Sequence, residues 1–217
     1  MRRLPLALTT ALAAAVILAG CTTATPPSAT PSATPPLSAA PTPEVVANLV
    51  VALDGISFTD ASGTVTASFD DGTALLALLQ QATGELPEPE PIDAPDGYGF
   101  TLVNYDWDGL RVTADESGDG PASIAVLAAE VDGIPVATTE GLAVGATRSE
   151  LVDAGAWALV DEEDTATAEY LGLDGREVPD TISLTHPGSV GIEYLLFALD
   201  GDVVTQIQVP ANDFSDI

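Results

Sequence analysis

Among its 217 residues the chain has no lysine, one histidine, one cysteine and one methionine, and aromatic residues make up only 5%. Each scarcity closes off a class of function. Five arginines carry all the positive charge against 33 acidic residues. Nucleic-acid binding rests on Lys and Arg neutralising phosphates and releasing counterions, so that partner class is excluded. Attraction to anionic lipid headgroups fails for the same reason. With one histidine and one cysteine, neither a structural nor a usual catalytic zinc site can be assembled. Any Ser-His-Asp device has to use His186. Ser183 and Ser189 are near it in sequence, but Pro187-Gly188-Ser189-Val190-Gly191 lacks the first glycine of a nucleophile elbow and its strand-to-helix setting. His186 therefore reads as a solvated turn residue and no catalytic residue is assigned.

What is present begins at the N-terminus. Arg2 and Arg3 precede an apolar segment from Leu4 to Ala19, too short and wrongly flanked for an ordinary membrane span, which is the pattern of a secretory signal peptide. The segment closes with Leu18-Ala19-Gly20-Cys21, which resembles a bacterial lipobox. That resemblance implies cleavage between Gly20 and Cys21, a diacylglyceryl thioether on Cys21, and a mature protein anchored on the extracytoplasmic face of a cell membrane. Two acyl chains make a stable anchor where one binds only reversibly. Loss of residues 1–20 leaves Arg111, Arg148 and Arg176 against 33 carboxylates, three minus 33, a formal charge of −30. Charge of that size keeps a secreted protein soluble and monomeric. With Cys21 modified no thiol remains for a disulfide, so the folded part has to be held by its core.

Residues 21–43 are rich in Thr, Pro, Ser and Ala and carry no charge, as expected of an extended tether. From Glu44 there is enough chain for one ordinary domain or two small ones. The run Leu49 to Phe58 and the alternating Val65, Ala67 and Phe69 flank the turn Asp60-Ala61-Ser62-Gly63, which predicts an antiparallel pair. Asp71 as N-cap, apolar Leu75, Leu78, Leu79 and Ala82, and Gly84 as C-terminal stop predict a helix over 73–83. The proline- and acid-rich segment 85–97 is expected to be a loop. Three strands are expected at 98–105, 107–114 and 122–131. Thr147-Arg148-Ser149-Glu150 reads as a capping box opening a short helix that Gly155 stops. Further strands are expected at 157–160, 165–171, 182–185, 192–199 and 203–209, the last two joined at Asp200-Gly201.

Asp54-Gly55, Asp132-Gly133 and Asp200-Gly201 recur 78 and 68 residues apart, and Ile124, Leu127 and Val131 align with Ile192, Leu195 and Leu199. The expected fold is α+β, two tandem halves over 44–131 and 132–217, each a short helix packed on a small antiparallel sheet.

Gly145-Ala146-Thr147-Arg148-Ser149-Glu150-Leu151-Val152 is similar to the Gly-x-Thr-x-x-Glu-Val helix start of tandem β-lactamase-inhibitor-like modules and of small outer-membrane-assembly lipoproteins. The resemblance implies a helix packed on an antiparallel sheet and binding to proteins rather than catalysis. The lipobox, the Thr/Pro/Ala tether and the use of Arg in place of Lys together resemble the surface lipoproteins of high-GC Gram-positive actinobacteria.

The most specific chemical motif is Asp115-Glu116-Ser117-Gly118-Asp119-Gly120, the first half of a calcium loop, with oxygens at alternate positions and glycine at the sixth. Asp115, Ser117 and Asp119 are its candidate ligands, although the twelfth position holds Val126 where a bidentate Glu belongs. The cluster Asp161-Glu162-Glu163-Asp164 offers a second, weak cation site. A carboxylate-based hydrolase needs a facing acid pair beside sugar platforms, for which Tyr98, Tyr105, Trp107 and Trp157 are the candidates. The expected function is a membrane-anchored, non-enzymatic lipoprotein that binds an envelope protein or glycan. The alternatives are a calcium-dependent surface domain and, behind it, the hydrolase.

Overall fold

Period-two alternation from Asn48 onward organises the first of two sheets in the computed structural model, which describes residues 45–92, 101–159 and 164–214. Gly20, Cys21, the whole tether, Tyr98 and Asp161–Glu163 lie outside the described residues. One compact unit spans Pro43–Ile217.

Strands β1 (Asn48–Ala52), β2 (Gly55–Asp60) and β3 (Gly63–Ser68) form an antiparallel meander. The expected single run from Leu49 to Phe58 divides at Leu53-Asp54, the two-residue turn between the paired Ala52 and Gly55; an added Cβ at Gly55 would lie 2.0 Å from Ala67 O, so glycine is required there. The Asp60 turn is as expected: its Oδ1 accepts from the Ser62 N–H at 2.7 Å and fixes the reversal.

Helix α1 (Gly72–Thr83) follows at once. Asp71 accepts from the Ala74 N–H at its start, and Gly84, at φ 87°, ends it in the left-handed conformation that a Cβ disfavours. Its face of Leu75, Leu76, Leu78 and Leu79 is buried, against β2, β3 and a later strand that runs Leu110–Asp115.

The second sheet begins with β4 (Glu90–Pro91), β5 (Leu102–Trp107), β6 (Leu110–Asp115) and β7 (Ala122–Val126). Pro91 lies in a sheet after all, at its edge, where a missing N–H costs no ladder bond. The strand expected over 122–131 divides, because the Leu127 and Ala128 N–H groups both donate to Gly109 O and turn the chain. Its end, β8 (Glu130–Val131), forms a hairpin with β9 (Ile134–Thr138), and β9 runs parallel to β1. The boundary expected at 131/132 falls in the turn of that hairpin.

Helix α2 (Arg148–Asp153) has both bonds of the expected capping box: Glu150 N–H donates to Thr147 Oγ1 and Thr147 N–H to Glu150 Oε2. After it come β10 (Trp157–Ala158), β11 (Tyr170–Glu177), β12 (Ile192–Asp200) and β13 (Val203–Asn212). Two expected strands are corrected. Residues 165–168 are turn, since Asp164 takes the Ala166 N–H on its carboxylate and the Thr167 and Ala168 N–H groups on its carbonyl. Residues 182–185 make only a single bridge, Ser183 to Phe214.

The sheet orders are β3-β2-β1-β9-β8 and β10-β11-β12-β13-β7-β6-β5-β4. The class is α+β, with helices packed on sheets, but the two sheets have five and eight strands and do not divide into halves at 131/132. The three Asp-Gly marks close hairpins β1–β2, β8–β9 and β12–β13, which are not equivalent positions: the first two belong to the smaller sheet and the third to the larger. Only Asp132-Gly133 fills a two-residue turn, between the paired Val131 and Ile134; the other two turns are Leu53-Asp54 and Gly201-Asp202, between the pairs Ala52–Gly55 and Asp200–Val203.

Candidate functional site

Burial alternates along β5, β6, β7 and most of β13 in the larger sheet. Val103, Tyr105, Leu110, Val112, Ile124, Val126, Ile207 and Val209 point into the core, which is one continuous cluster. Their neighbours on the opposite face stay half-exposed or exposed: Asn104, Arg111, Thr113, Ala125, Gln206, Gln208, Leu196 and, at 50% exposure, Tyr170. This face is graded. At the β5–β6 end, directly opposed residues pair across the strands, Arg111 Nε with Asp106 Oδ1 at 2.7 Å and Thr113 Oγ1 with Asn104 Oδ1 at 2.8 Å. The centre is small and amide-bearing, with Ala125 opposite Gln208. The β10–β12 end is aromatic.

At that end Trp157 stands opposite Gly172 and its indole lies over the strand, so close that a Cβ at Gly172 would come within 2.7 Å of the ring and one at Gly175 within 2.9 Å. Glycine is required here by approach. Trp157 meets Tyr194 edge to face, ring centroids 6.0 Å apart and planes at 65°. Beside the rings is a buried carboxylate. Asp213 Oδ1 accepts from the Ile192 N–H at 2.6 Å, while Oδ2 accepts from the Ser183 hydroxyl at 2.5 Å and the Thr185 hydroxyl at 3.1 Å. Burial pushes the Asp213 carboxyl up, but the Ser183, Ile192 and Thr185 donors and the nearby His186 outweigh it and hold it below the ordinary carboxylate range. Burial, with the Asp213 charge adding to it, pushes the Tyr194 phenol up. A cavity of about 180 Å³ lies between them, lined by Trp157, Tyr194, Asp213, Thr185 and His186 with aliphatic neighbours.

The structure thus brings Ser183, His186 and Asp213 together, which the sequence reading did not anticipate for Asp213. The arrangement is not that of a nucleophile and its base. Ser183 is 3% exposed, donates to the carboxylate directly, and accepts from the His186 N–H at 2.9 Å. The imidazole Nδ1 is 2.8 Å from Thr185 Oγ1. These contacts tie the 182–190 loop to the end of β13. Ser189 serves that loop through its backbone, which pairs with the Ser183 N–H.

The oxygens of the calcium motif are engaged in hydrogen bonds within the protein. Asp115 Oδ1 is occupied by the Ser117 N–H at 2.9 Å and the Ser117 hydroxyl at 2.6 Å, and Ser117 Oγ takes the Asp119 N–H at 3.2 Å. The Ser117 hydroxyl, then its N–H, hold the Asp115 carboxyl below its usual range. The loop carbonyls are also spent on the protein: Gly118 O accepts from Thr73 Oγ1 at 2.9 Å and Gly120 O from the Gly72 N–H at 2.8 Å, so the loop secures the start of α1. No cluster of three or more His, Cys, Asp or Glu side chains able to hold a metal exists among the described residues. Tyr105 and Trp107 are buried, the latter donating its indole N–H to Thr83 Oγ1 at 3.1 Å, so neither is a sugar platform.

Each arginine described is engaged with acids. Arg111 pairs with Asp106, and Arg176 bridges Asp54 of the smaller sheet and Glu193 of the larger. Arg148, at the first position of α2, is buried; its Nε meets Asp202 at 2.9 Å and its two amino groups reach the carbonyls of Thr165, Ala168 and Gly201. The sequence marked Arg148 only as part of a helix start. Its scarcity in so acidic a chain was the available signal of a structural post. No helix among the described residues is long and apolar enough to cross a membrane. Comparison with protein-family models, with curated proteins and with solved structures finds no match to the chain.

Proposed function

We propose that the protein is a lipid-anchored, non-enzymatic binding module of the cell envelope, and that it meets a protein partner on the open face of its eight-stranded sheet. The observation that carries this reading is the graded face itself: paired polar residues at one end, amides at the centre, and exposed Tyr170 with half-buried Trp157 on the strands at the other. Arginine, tyrosine and tryptophan on an otherwise hydrogen-bonding surface are the residues that dominate protein recognition. The lipobox ending at Cys21 and the uncharged stalk support display at a membrane surface.

The strand order supports a duplication on a frame different from the Asp-Gly marks. Helix α1 leads into β4–β7 and α2 into β10–β13, and the two sets enter one sheet from opposite edges so that their last strands, β7 and β13, pair antiparallel. On this reading the binding face is shared between halves of about 72–126 and 148–212.

Two measurements test the proposal. Metabolic labelling with an alkynyl fatty acid should tag the wild-type protein and leave Cys21→Ser untagged; no label on the wild type sinks the anchor. A photo-crosslinker placed at Gln208 or Thr113 of the anchored protein should trap one common species in the envelope, whereas one at Val65 on the smaller sheet should not. Trapping from Val65 alone would overturn the choice of face.

A further inference from the structure

We propose that the cavity between Trp157, Tyr194 and Asp213 binds a small quaternary-ammonium cation, an inference that does not depend on the sheet-face reading. Both rings border the cavity and meet each other edge to face, centroids 6.0 Å apart and planes at 65°, and the electron-rich face of an aromatic ring attracts a cation. Trp157 is held in place from behind by the close backbone of Gly172 and Gly175. Asp213 supplies the counter-charge at the cavity wall.

The type of cation follows from how that carboxylate is satisfied. Three protein donors occupy its two oxygens, from Ile192, Ser183 and Thr185. A primary ammonium brings three N–H donors that each need an acceptor, and sugar hydroxyls make the same demand; this wall has little acceptor capacity left. A quaternary ammonium has no N–H at all. It gains from the net charge and the ring faces and loses nothing by finding the lone pairs taken. Size agrees: about 180 Å³ is the volume of roughly six waters, room for a head of a few heavy atoms and well below a drug-sized pocket. The surrounding field of so acidic a chain concentrates cations near the site.

The test uses the full-length protein in a maltoside micelle at physiological salt, with choline as probe, 3,3-dimethylbutan-1-ol as its uncharged isostere and ethanolamine as its primary-amine counterpart. Calorimetry and saturation transfer to the N-methyl protons should show saturable choline binding, at least about tenfold tighter than either control. Trp157→Leu and Tyr194→Leu should each weaken it by about tenfold or more with the melting curve still cooperative; Asp213→Asn should do the same if it folds. Equal binding of choline and the neutral isostere, or no saturation at tens of millimolar choline, would overturn the proposal. So would binding to phosphatidylcholine vesicles with free choline silent, because the inferred ligand is a free solute that fits inside the cavity. Loss of crosslinking from Gln208 with choline binding intact would leave this proposal standing and remove only the sheet-face reading.

Discussion

Arg148 and Asp202 form an ion pair, yet their two ends are unequal. The Arg148 side chain is 11% exposed and that of Asp202 82%, so removing the carboxylate leaves the guanidinium its three carbonyl partners and water for the rest. Asp202→Ala should cost less than about 1 kcal/mol. Arg148→Ala orphans the carbonyls of Thr165, Ala168 and Gly201 together and should cost roughly 2–3 kcal/mol, with Arg148→Lys recovering little because an ammonium lacks the planar fork. Denaturant melts of the three variants check the ranking; equal costs for Asp202 and Arg148 would contradict it. Asp213 gives a pH signature. Its folded pKa is depressed, so its contribution is fully present above the unfolded value of about 3.9 and is lost as pH falls through the lower folded value. The melting temperature of wild type should exceed that of Asp213→Asn at neutral pH, and the gap should close in acid below about pH 4. The difference is the informative quantity, because relief of repulsion among 33 carboxylates on acidification raises both proteins alike. Neither residue was visible as a post in the sequence: their partners lie up to 54 and 30 positions away.

At the scale of elements, legibility followed locality. Both helices were readable because Asp71, Gly84, Thr147 and Glu150 act within one turn of themselves. Asp71→Ala should cost about 1 kcal/mol through the lost cap. Strand ends were less readable where a side chain outbids the ladder, as Asp164 does for 165–168 and Ser183, held by Asp213, does for the loop after Thr181. Edge positions misled for another reason: Pro91 forbids only a central strand, and whether a strand is central depends on its neighbours. The aromatic end of the sheet makes a sharp prediction. Gly172→Ala places a methyl 2.7 Å from the Trp157 ring and 3.0 Å from Leu159, so the indole has to move. The expected outcome is a loss of stability of about 1–3 kcal/mol with a red shift of tryptophan emission, Trp107 remaining buried as an internal reference. A silent substitution would mean that the ring is not packed on the strand.

For the whole molecule, charge is the dominant property. With a formal charge of −28, self-repulsion opposes the compact state, and salt screens it over about 10 Å at 0.1 M. Melting temperature should rise by several degrees between low and high sodium chloride. Calcium and magnesium at matched ionic strength should give the same curve, because the oxygens of Asp115, Ser117, Gly118 and Gly120 are already bonded within the protein. A specific calcium shift abolished by chelator would restore the metal reading.

The sequence by itself determined the α+β class and both helix caps, since these depend on local periodicity or on contacts within a turn. The tertiary structure alone decided that β9 joins β1 in parallel, that β7 meets β13, and that Asp213 reaches Ser183 beneath a pair of aromatic rings. Those contacts join segments tens of residues apart, and their selection rests on which buried faces and donors satisfy one another in space. No local period records that choice.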